Sequence, residues 1–312
     1  MQFSERIVIC DHIDEKGINI LKKNGFAIDY RPEIESKELE DIVHEYDIIV
    51  VRSRTKIFKE IIEKANKCKL IARVGVGLDN IDLNETKKKQ IKVINAPEAA
   101  MNAVSELVVG FMFDLSRNIS FADKEMKNGK WLKKDFMGNE IRGKYLGIVG
   151  VGNIGRNIGR IAKSLRMNII GYDIYPISKE FISETGLITT DLATLVQSSD
   201  FITCHVPSTS ETKKMFNKSI IDMMKPTAFF INTSRGDVVD EEALFQALKD
   251  KKIAGAALDV FEVEPPTNLD LIQLPNVICT PHIGAQTKES QELGSIVIAE
   301  KIIHTLQQKA NE

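Results

Sequence analysis

Arg235 in TSRGD, Glu264 in LDVFEVEPP and His282 in TPHIG each stand just past an apolar run in the second half of the chain. A guanidinium grips a carboxylate through two parallel N–H bonds, and an imidazole moves a proton near neutral pH. A carboxylate beside the imidazole fixes its tautomer and stabilises its cation. All three are costly to desolvate without a partner or a task, so together they read as machinery for a small acid and one of its protons. His205, in DFITCHVP, is the rival proton carrier. It has no evident acid partner, and a satisfied structural histidine is the commoner outcome. His12, His44 and His304 fall among charged residues and read as solvated, while Cys204 and Cys279 fall in apolar runs and read as small core residues.

A second set of residues concerns phosphate. In LGIVGVGNIGRNIG, residues 146–159, Gly150, Gly152 and Gly155 form G-x-G-x-x-G after an apolar strand and at the start of a helical pattern. The first glycine permits the tight turn, the second lets a pyrophosphate approach the backbone, and the third lets helix and strand pack closely. The helix N-terminus then faces the anion. Asp173 closes the next strand, NIIGYD, where an acid bonds both ribose hydroxyls and repels a 2′-phosphate, which favours NAD over NADP. No G-K-[ST] follows the glycines, which disfavours a phosphate-loop NTPase.

These residues need a scaffold, and the pattern supplies one. Short apolar runs alternate with amphipathic stretches, which is how parallel strands buried on both faces read, so the chain is α/β. RIVIC, DIIVV, KLIARV and KVINA predict one small sheet in the first hundred residues. YLGIVG, NIIGYD, DFITCHV, AFFINTS, AGAALDV and NVICT predict a larger one from residue 145. In an open parallel sheet the crevice lies beyond the carboxyl ends of the strands, where HVP, TSRGD, EPP and TPHIG all fall. Between the sheets, residues 97–131 place apolar side chains at 104, 107, 108, 111, 112 and 115, the spacing of a connecting helix, with a second helix after it. At 312 residues two domains are expected, with a hinge near Pro97. Lys+Arg 42 against Asp+Glu 44 gives a net charge of -2, which speaks against nucleic acid and anionic membranes as partners. The four cysteines are scattered, without a metal-binding pair, and neither a signal peptide nor a membrane span is evident. A soluble, cytoplasmic protein acting on small solutes is expected.

Six segments in order, VGVGLDNID, GVGNIGR, HVPSTSET, INTSRGDVVDEEAL, ALDVFEVEPP and TPHIGAQT, resemble the D-isomer-specific 2-hydroxyacid dehydrogenases over essentially the full length. The resemblance implies a flavodoxin-like substrate domain, residues 1–97 completed by 287–312. Around residues 98–286 it folds an inserted Rossmann NAD domain, with dimerisation helices at about 98–130. It assigns Arg235 to the substrate carboxylate and carbonyl, His282 to proton transfer and Glu264 to orienting and charging that histidine. It also implies cofactor contacts from Gly150, Gly152, Asn153, Ile154, Gly155, Asp173, His205, Pro207, Thr212, Thr233, Asp259 and Gly284. Substrate contacts are implied for Arg52, Ser53, Arg73, Asn102 and the backbone N–H groups of Val76 and Gly77. In VVRSRTK, Arg52 and Arg54 point to one face if the strand continues that far. The resemblance tips Arg52 and Ser53 toward substrate and leaves Arg54 undecided.

GKWLKKDFMGNEIRGKYLGIVG, NAPEAAMNAVSELVVG and PHIGAQTKESQE resemble the D-3-phosphoglycerate dehydrogenase branch, in a short form that ends after IHTLQQKANE rather than continuing into a serine-sensing regulatory domain. That branch implies NAD-dependent oxidation of D-3-phosphoglycerate to 3-phosphohydroxypyruvate in L-serine synthesis, by a homo-oligomer that is at least a dimer. Phosphate would be met by Arg52, Arg73 and a basic residue of WLKK from the neighbouring subunit. Here Lys133 and Lys134 stand where that branch has an arginine, and a lysine is a point charge rather than a fork. The alternatives are a hydroxypyruvate or glyoxylate reductase with the same triad and, from another class, an NAD-sensing corepressor that binds protein. Extra interaction tails that would favour the corepressor are absent from the sequence.

Overall fold

β-branched runs of four or five residues are too short for buried helices and suit central parallel strands, with charged amphipathic segments returning the chain across each face. In the computed structural model, which describes residues 3–267 and 269–310, the chain divides into two units. One comprises the residues up to Ala100 together with those from Ala285, and the other is Met101–Gly284.

The first unit holds β1 (Arg6–Ile9), α1 (Glu15–Lys23), β2 (Ala27–Tyr30), α2 (Ser36–Ile42), β3 (Ile48–Val51), α3 (Lys59–Lys64), β4 (Leu70–Arg73), α4 (Leu83–Lys88) and β5 (Lys92–Asn95). The strands are parallel, in the order β2-β1-β3-β4-β5. β3 shows why the run is apolar throughout: Ile48 and Val50 pack into the cluster on one face, Ile49 and Val51 into that on the other. The second unit begins with α5 (Met101–Arg117) and α6 (Ile119–Lys127). It continues as β6 (Tyr145–Val149), α7 (Asn153–Ser164), β7 (Asn168–Tyr172), α8 (Lys179–Thr185), β8 (Ile188–Thr189), α9 (Leu192–Ser198), β9 (Phe201–Cys204) and α10 (Lys218–Ile221). β10 (Phe229–Asn232), α11 (Glu241–Lys249), β11 (Gly255–Leu258), α12 (Leu269–Ile272) and β12 (Val277–Cys279) complete it. Its seven parallel strands run β12-β11-β10-β9-β6-β7-β8, the doubly wound order with β6 beside the point where the winding reverses. A last helix, α13 (Lys288–Ala310), returns to the first unit, where Ile298, Ala299, Ile302 and Leu306 pack against Ile7, Ile9, Ile18 and Leu21.

Two strands lie outside the six-plus-four pattern expected from sequence, and both are at sheet edges. β2, AIDY, interrupts its apolar residues with an aspartate, and β8 has only two residues. Edge strands need one buried face at most, so their apolar signal is weak. β3 stops at Val51, so Arg52 and Arg54 lie on a turn rather than on one strand face. Among the described residues, no helix is long and apolar enough to cross a membrane.

Candidate functional site

The carboxyl end of β6 leads into a turn in which Gly150 and Gly155 leave no room for a side chain. Gly150 has a φ of +92°, and a Cβ there would lie 2.7 Å from the His205 carbonyl oxygen. A Cβ on Gly155 would lie 2.2 Å from the Gly150 carbonyl oxygen, so the first turn of α7 rests directly on the loop. Gly152 has nothing within 4 Å of the place its Cβ would take, so the space above it is open. α1, α4, α8, α9 and α11 are capped by an Asp or Ser side chain at the N-terminus, whereas α7 begins at Gly152 with no side-chain cap. Its first N–H groups are left for an anion. Asn153 is exposed in that first turn, and Ile154 packs inward.

Asp173, just past β7, accepts the Val151 N–H at 2.7 Å and the Tyr175 N–H at 2.9 Å, which sets its carboxylate beside the turn. Two further groups expected at the cofactor, His205 Nδ1 and Thr233 Oγ1, are buried without a hydrogen-bond partner among the described residues. Pro207 and Thr212 are tied by the 2.5 Å bond from the Thr212 hydroxyl to the Pro207 carbonyl. An open cradle, an uncapped helix and orphaned polar atoms on the same strand ends fit a dinucleotide.

Beyond β12 the chain forms the second half of the site. His282 Nδ1 lies 2.8 Å from Glu264 Oε2, and Glu264 Oε1 accepts the Phe261 N–H at 3.2 Å. The hydrogen bond that His282 donates to Glu264 holds the His282 pKa above the usual imidazole value, against the opposing effect of burial. Burial pushes the Glu264 carboxyl up, but its bond and charge interaction with His282, the Phe261 N–H and the Arg235 charge outweigh that and leave it below the ordinary carboxylate value. Arg235 follows β10 and its Nη1 donates to the Ser234 carbonyl at 2.6 Å. A Cβ on Gly236 would lie 1.8 Å from the Phe261 backbone carbon, so the arginine loop and the glutamate loop touch main chain to main chain. A cavity of about 480 Å³ opens beside the pair, lined by Phe261, Pro265, Ile272, Cys279 and His282 among others.

His282 has a φ of +52°, rare for a residue with a side chain, and its own N–H donates to the Asp259 and Thr280 carbonyls. Asp259, 1% exposed, explains how this is held. Its Oδ1 accepts from the Thr280 hydroxyl at 2.6 Å and the Ile283 N–H at 2.8 Å, and its Oδ2 accepts the Gly284 N–H at 2.8 Å. Asp259, expected at the cofactor, anchors the histidine loop through these three bonds. Asn232, which sequence reasoning missed, does the same for Arg235: its Nδ2 donates to the Arg235 carbonyl at 2.8 Å. A polar residue ending an apolar strand, as in FFIN, was the available signal.

His205 is set apart from this chemistry. Its Nε2 meets the Thr203 hydroxyl at 2.8 Å, and burial pushes its pKa down to about 3. Burial pushes the Cys204 thiol and the partly buried Cys279 thiol up to about 11, which disfavours their thiolates. Asn102 lies on the first turn of α5 and accepts from Asn157 of α7 at 3.2 Å, within the dinucleotide unit. Lys133 and Lys134 are exposed on the segment after α6.

In the first unit, Arg52, Ser53, Arg73, Val76 and Gly77 gather at the carboxyl ends of β3 and β4, where Val51 and Arg73 are register partners. Gly75, with a φ of +144°, leaves room for the Arg73 guanidinium, whose Nη1 lies 1.8 Å from where a Cβ would stand. Arg52 Nη1 donates to the His12 carbonyl at 3.1 Å. Burial lowers the Arg52 pKa, and the Asp11 charge opposes this. Arg54 turns away from the group, donating to the Cys10, Pro32 and Ile34 carbonyls and pairing with Asp11 at 3.2 Å.

The family model for the D-isomer specific 2-hydroxyacid dehydrogenase NAD binding domain matches residues 109–284. A D-3-phosphoglycerate dehydrogenase of Methanocaldococcus jannaschii is 43% identical over 298 residues, which is 95% of this chain and 56% of that protein. A hydroxypyruvate reductase of Thermotoga maritima is 42% identical over 304 residues, 96% of this chain and 98% of that protein. The chain spans little more than half the length of the three D-3-phosphoglycerate dehydrogenases it matches at 41–43% identity. Among solved structures, a D-lactate dehydrogenase from Aquifex aeolicus complexed with NAD and lactic acid shares 28% identity at a TM-score of 0.84, covering 98% of this chain and 96% of that one. With the glycine turn, the histidine–glutamate pair and the arginine loop all set on the strand ends of the matched region, the chain belongs to the D-isomer specific 2-hydroxyacid dehydrogenase family, and residues 109–284 are its NAD-binding domain.

Proposed function

We propose that this protein interconverts D-3-phosphoglycerate and 3-phosphohydroxypyruvate with NAD. Bound NAD supplies the hydride acceptor, or NADH the donor, for substrate C2. His282 takes the hydroxyl proton in oxidation and returns it in reduction, with Glu264 stabilising the imidazolium in between. Arg235 holds the carboxylate and polarises the carbonyl oxygen. The observation that carries the phosphorylated substrate is that Arg52, which follows Val51, and Arg73, the register partner of Val51, stand at neighbouring strand ends beside the Val76–Gly77 turn. One carboxylate does not need two arginines in addition to Arg235, whereas a phosphate does.

The test is NADH consumption with 3-phosphohydroxypyruvate against hydroxypyruvate. A charged hydrogen bond is worth roughly 1.5–3 kcal/mol, so the phosphorylated acid should lead in kcat/KM by at least about 10-fold. Arg52→Ala should shrink that lead. Equal rates, or a lead for hydroxypyruvate, would instead favour the second reading, a hydroxypyruvate reductase, to which the near end-to-end match with the Thermotoga maritima protein already lends support.

The working form in this reading is at least a homodimer. Phe113, Ile119, Phe121, Met126, Trp131 and Met137 are exposed along α5, α6 and the segment after them, Trp131 by 76% and Met137 by 89%. Apolar side chains gathered like this mark a protein interface. Trp131→Glu with Met137→Glu should give a monomer by light scattering.

A further inference from the structure

The anion-binding groups of the first unit sit on two separate turns, residues 52–55 after β3 and residues 74–80 after β4. Side-chain amides join and shape these turns. Asn80 Nδ2 donates to the Arg52 carbonyl at 2.8 Å and to the Thr55 carbonyl at 2.6 Å, so a residue of the second turn holds both ends of the first. Asn95, at the end of β5, donates through Nδ2 to the Val76 carbonyl at 2.6 Å, and the Ala96 N–H donates to the Gly75 carbonyl at 2.9 Å. With those two carbonyls drawn inward, the Val76 and Gly77 N–H groups meet no acceptor among the described residues. Successive N–H groups arranged this way form a concavity for an anion.

The first turn has its own anchor. Asp11, 3% exposed, accepts the Arg52 N–H through Oδ2 and the Thr55 hydroxyl through Oδ1 at 2.8 Å, and pairs with Arg54. The backbone that carries Arg52 and Ser53 is therefore held from below by Asp11 and from the side by Asn80.

We infer that Asn80 is a positioning residue that couples the Arg52 turn to the Val76–Gly77 turn, so that the two present one pre-organised rim to the acid groups of the substrate. Asn80 donates only to main-chain carbonyls, so it acts through the groups it holds. Fixing donors in advance removes their ordering cost from the binding step, and the effect therefore falls on substrate affinity rather than on the chemical step. The inference rests on the reading of Arg52 as a substrate cation.

The experiment is a double-mutant cycle on the 312-residue chain, with NADH and 3-phosphohydroxypyruvate, reading KM, kcat, the NADH dissociation constant by fluorescence and the melting temperature. Asn80→Ala should raise KM about 10-fold, the scale of one or two lost positioning bonds, with kcat within about 3-fold and NADH affinity unchanged. Combined with Arg52→Ala, the rise in KM should be smaller than the product of the single effects, because a mobile turn costs less once its arginine is gone. A KM that stays put, or single effects that simply multiply, would show that Asn80 only stabilises the fold, and would overturn the coupling. If Asn80→Ala gives no folded protein, Asn80→Ser retains a donor for one of the two carbonyls and is judged by the same criteria. Failure of the underlying reading looks different: Arg52→Ala alone would leave KM unchanged.

Discussion

His205 and His282 follow strands of the same parallel sheet, at the same end of it, and have opposite electrostatics. His205 meets a neutral hydroxyl, and burial drives its pKa down to about 3. His282 is also partly buried, yet the Glu264 carboxylate at 2.8 Å holds its pKa above the ordinary value. Burial acts on both in the same direction, and the partner decides which becomes a proton carrier. His205 suits a neutral contact to a cofactor; of the two, only His282 has a carboxylate to stabilise its cation.

The strongest way to break that contrast is to remove the carrier. His282→Ala should lower kcat by about 10²–10⁴-fold while leaving NADH affinity unchanged by fluorescence titration. Turnover close to that of the unmodified protein would pass the role to His205 or another group.

Removing the partner should sharpen the contrast. In Glu264→Gln the His282 pKa should fall toward and below the ordinary value. Keto-acid reduction needs the imidazolium, so its rate declines as pH rises through the His282 pKa. Above that pKa, each unit by which Glu264→Gln lowers it costs about 10-fold. The stability of the pair follows from the same shifts. A raised histidine pKa gives stability that is complete below the unfolded value and lost as pH rises through the native one. A lowered glutamate pKa gives stability present above the unfolded carboxylate value and lost as pH falls through the native one. Melting temperature should therefore be pH-dependent on both sides of a plateau, and Glu264→Gln should flatten both slopes. Unchanged pH profiles of rate and stability in that variant would show that Glu264 does not set the charge of His282.

A comparable contrast separates cofactors. Asp173→Ala removes the carboxylate proposed to bond the ribose, so the NAD-to-NADP ratio of kcat/KM should fall by about 10-fold or more. A native enzyme indifferent to the 2′-phosphate would contradict this use of Asp173. The smallest effect belongs to His205→Asn. Loss of the bond to Thr203 should cost about 0.5–1.5 kcal/mol in denaturant unfolding, and kcat should stay within about 10-fold with the alkaline limb in place. Displacement of that limb would mean that His205 titrates with the reaction after all.

Much of this was legible in the sequence, for identifiable reasons. The glycine turn reads directly because backbone geometry excludes other residues at Gly150 and Gly155, and the central strands read because both faces are buried. The arginine, glutamate and histidine stand out because desolvating a charge demands a purpose. What escaped is the layer that does not touch the reaction. That Asp259 anchors the histidine loop was not legible, because a strand-end carboxylate looks the same in sequence whether or not three donors of its own loop meet it. The residue pattern left Arg54 undecided, because its place depends on β3 ending at Val51 and on the carbonyls of residues 10, 32 and 34 lying within its reach. Asn80 and Asn95 carry no sequence signal of their roles, because their targets lie 28 and 19 positions away.

The return of α13 to the first unit also sets the order in which the protein can be completed. Ile7 and Ile9 of β1 and Ile18 and Leu21 of α1 leave the ribosome long before Ile298, Ala299, Ile302 and Leu306, against which they pack. The second unit closes its own sheet between Met101 and Gly284 from residues translated in one stretch. Nascent chains halted before residue 288 should hold a protease-resistant second unit while the N-terminal hundred residues are still cut readily.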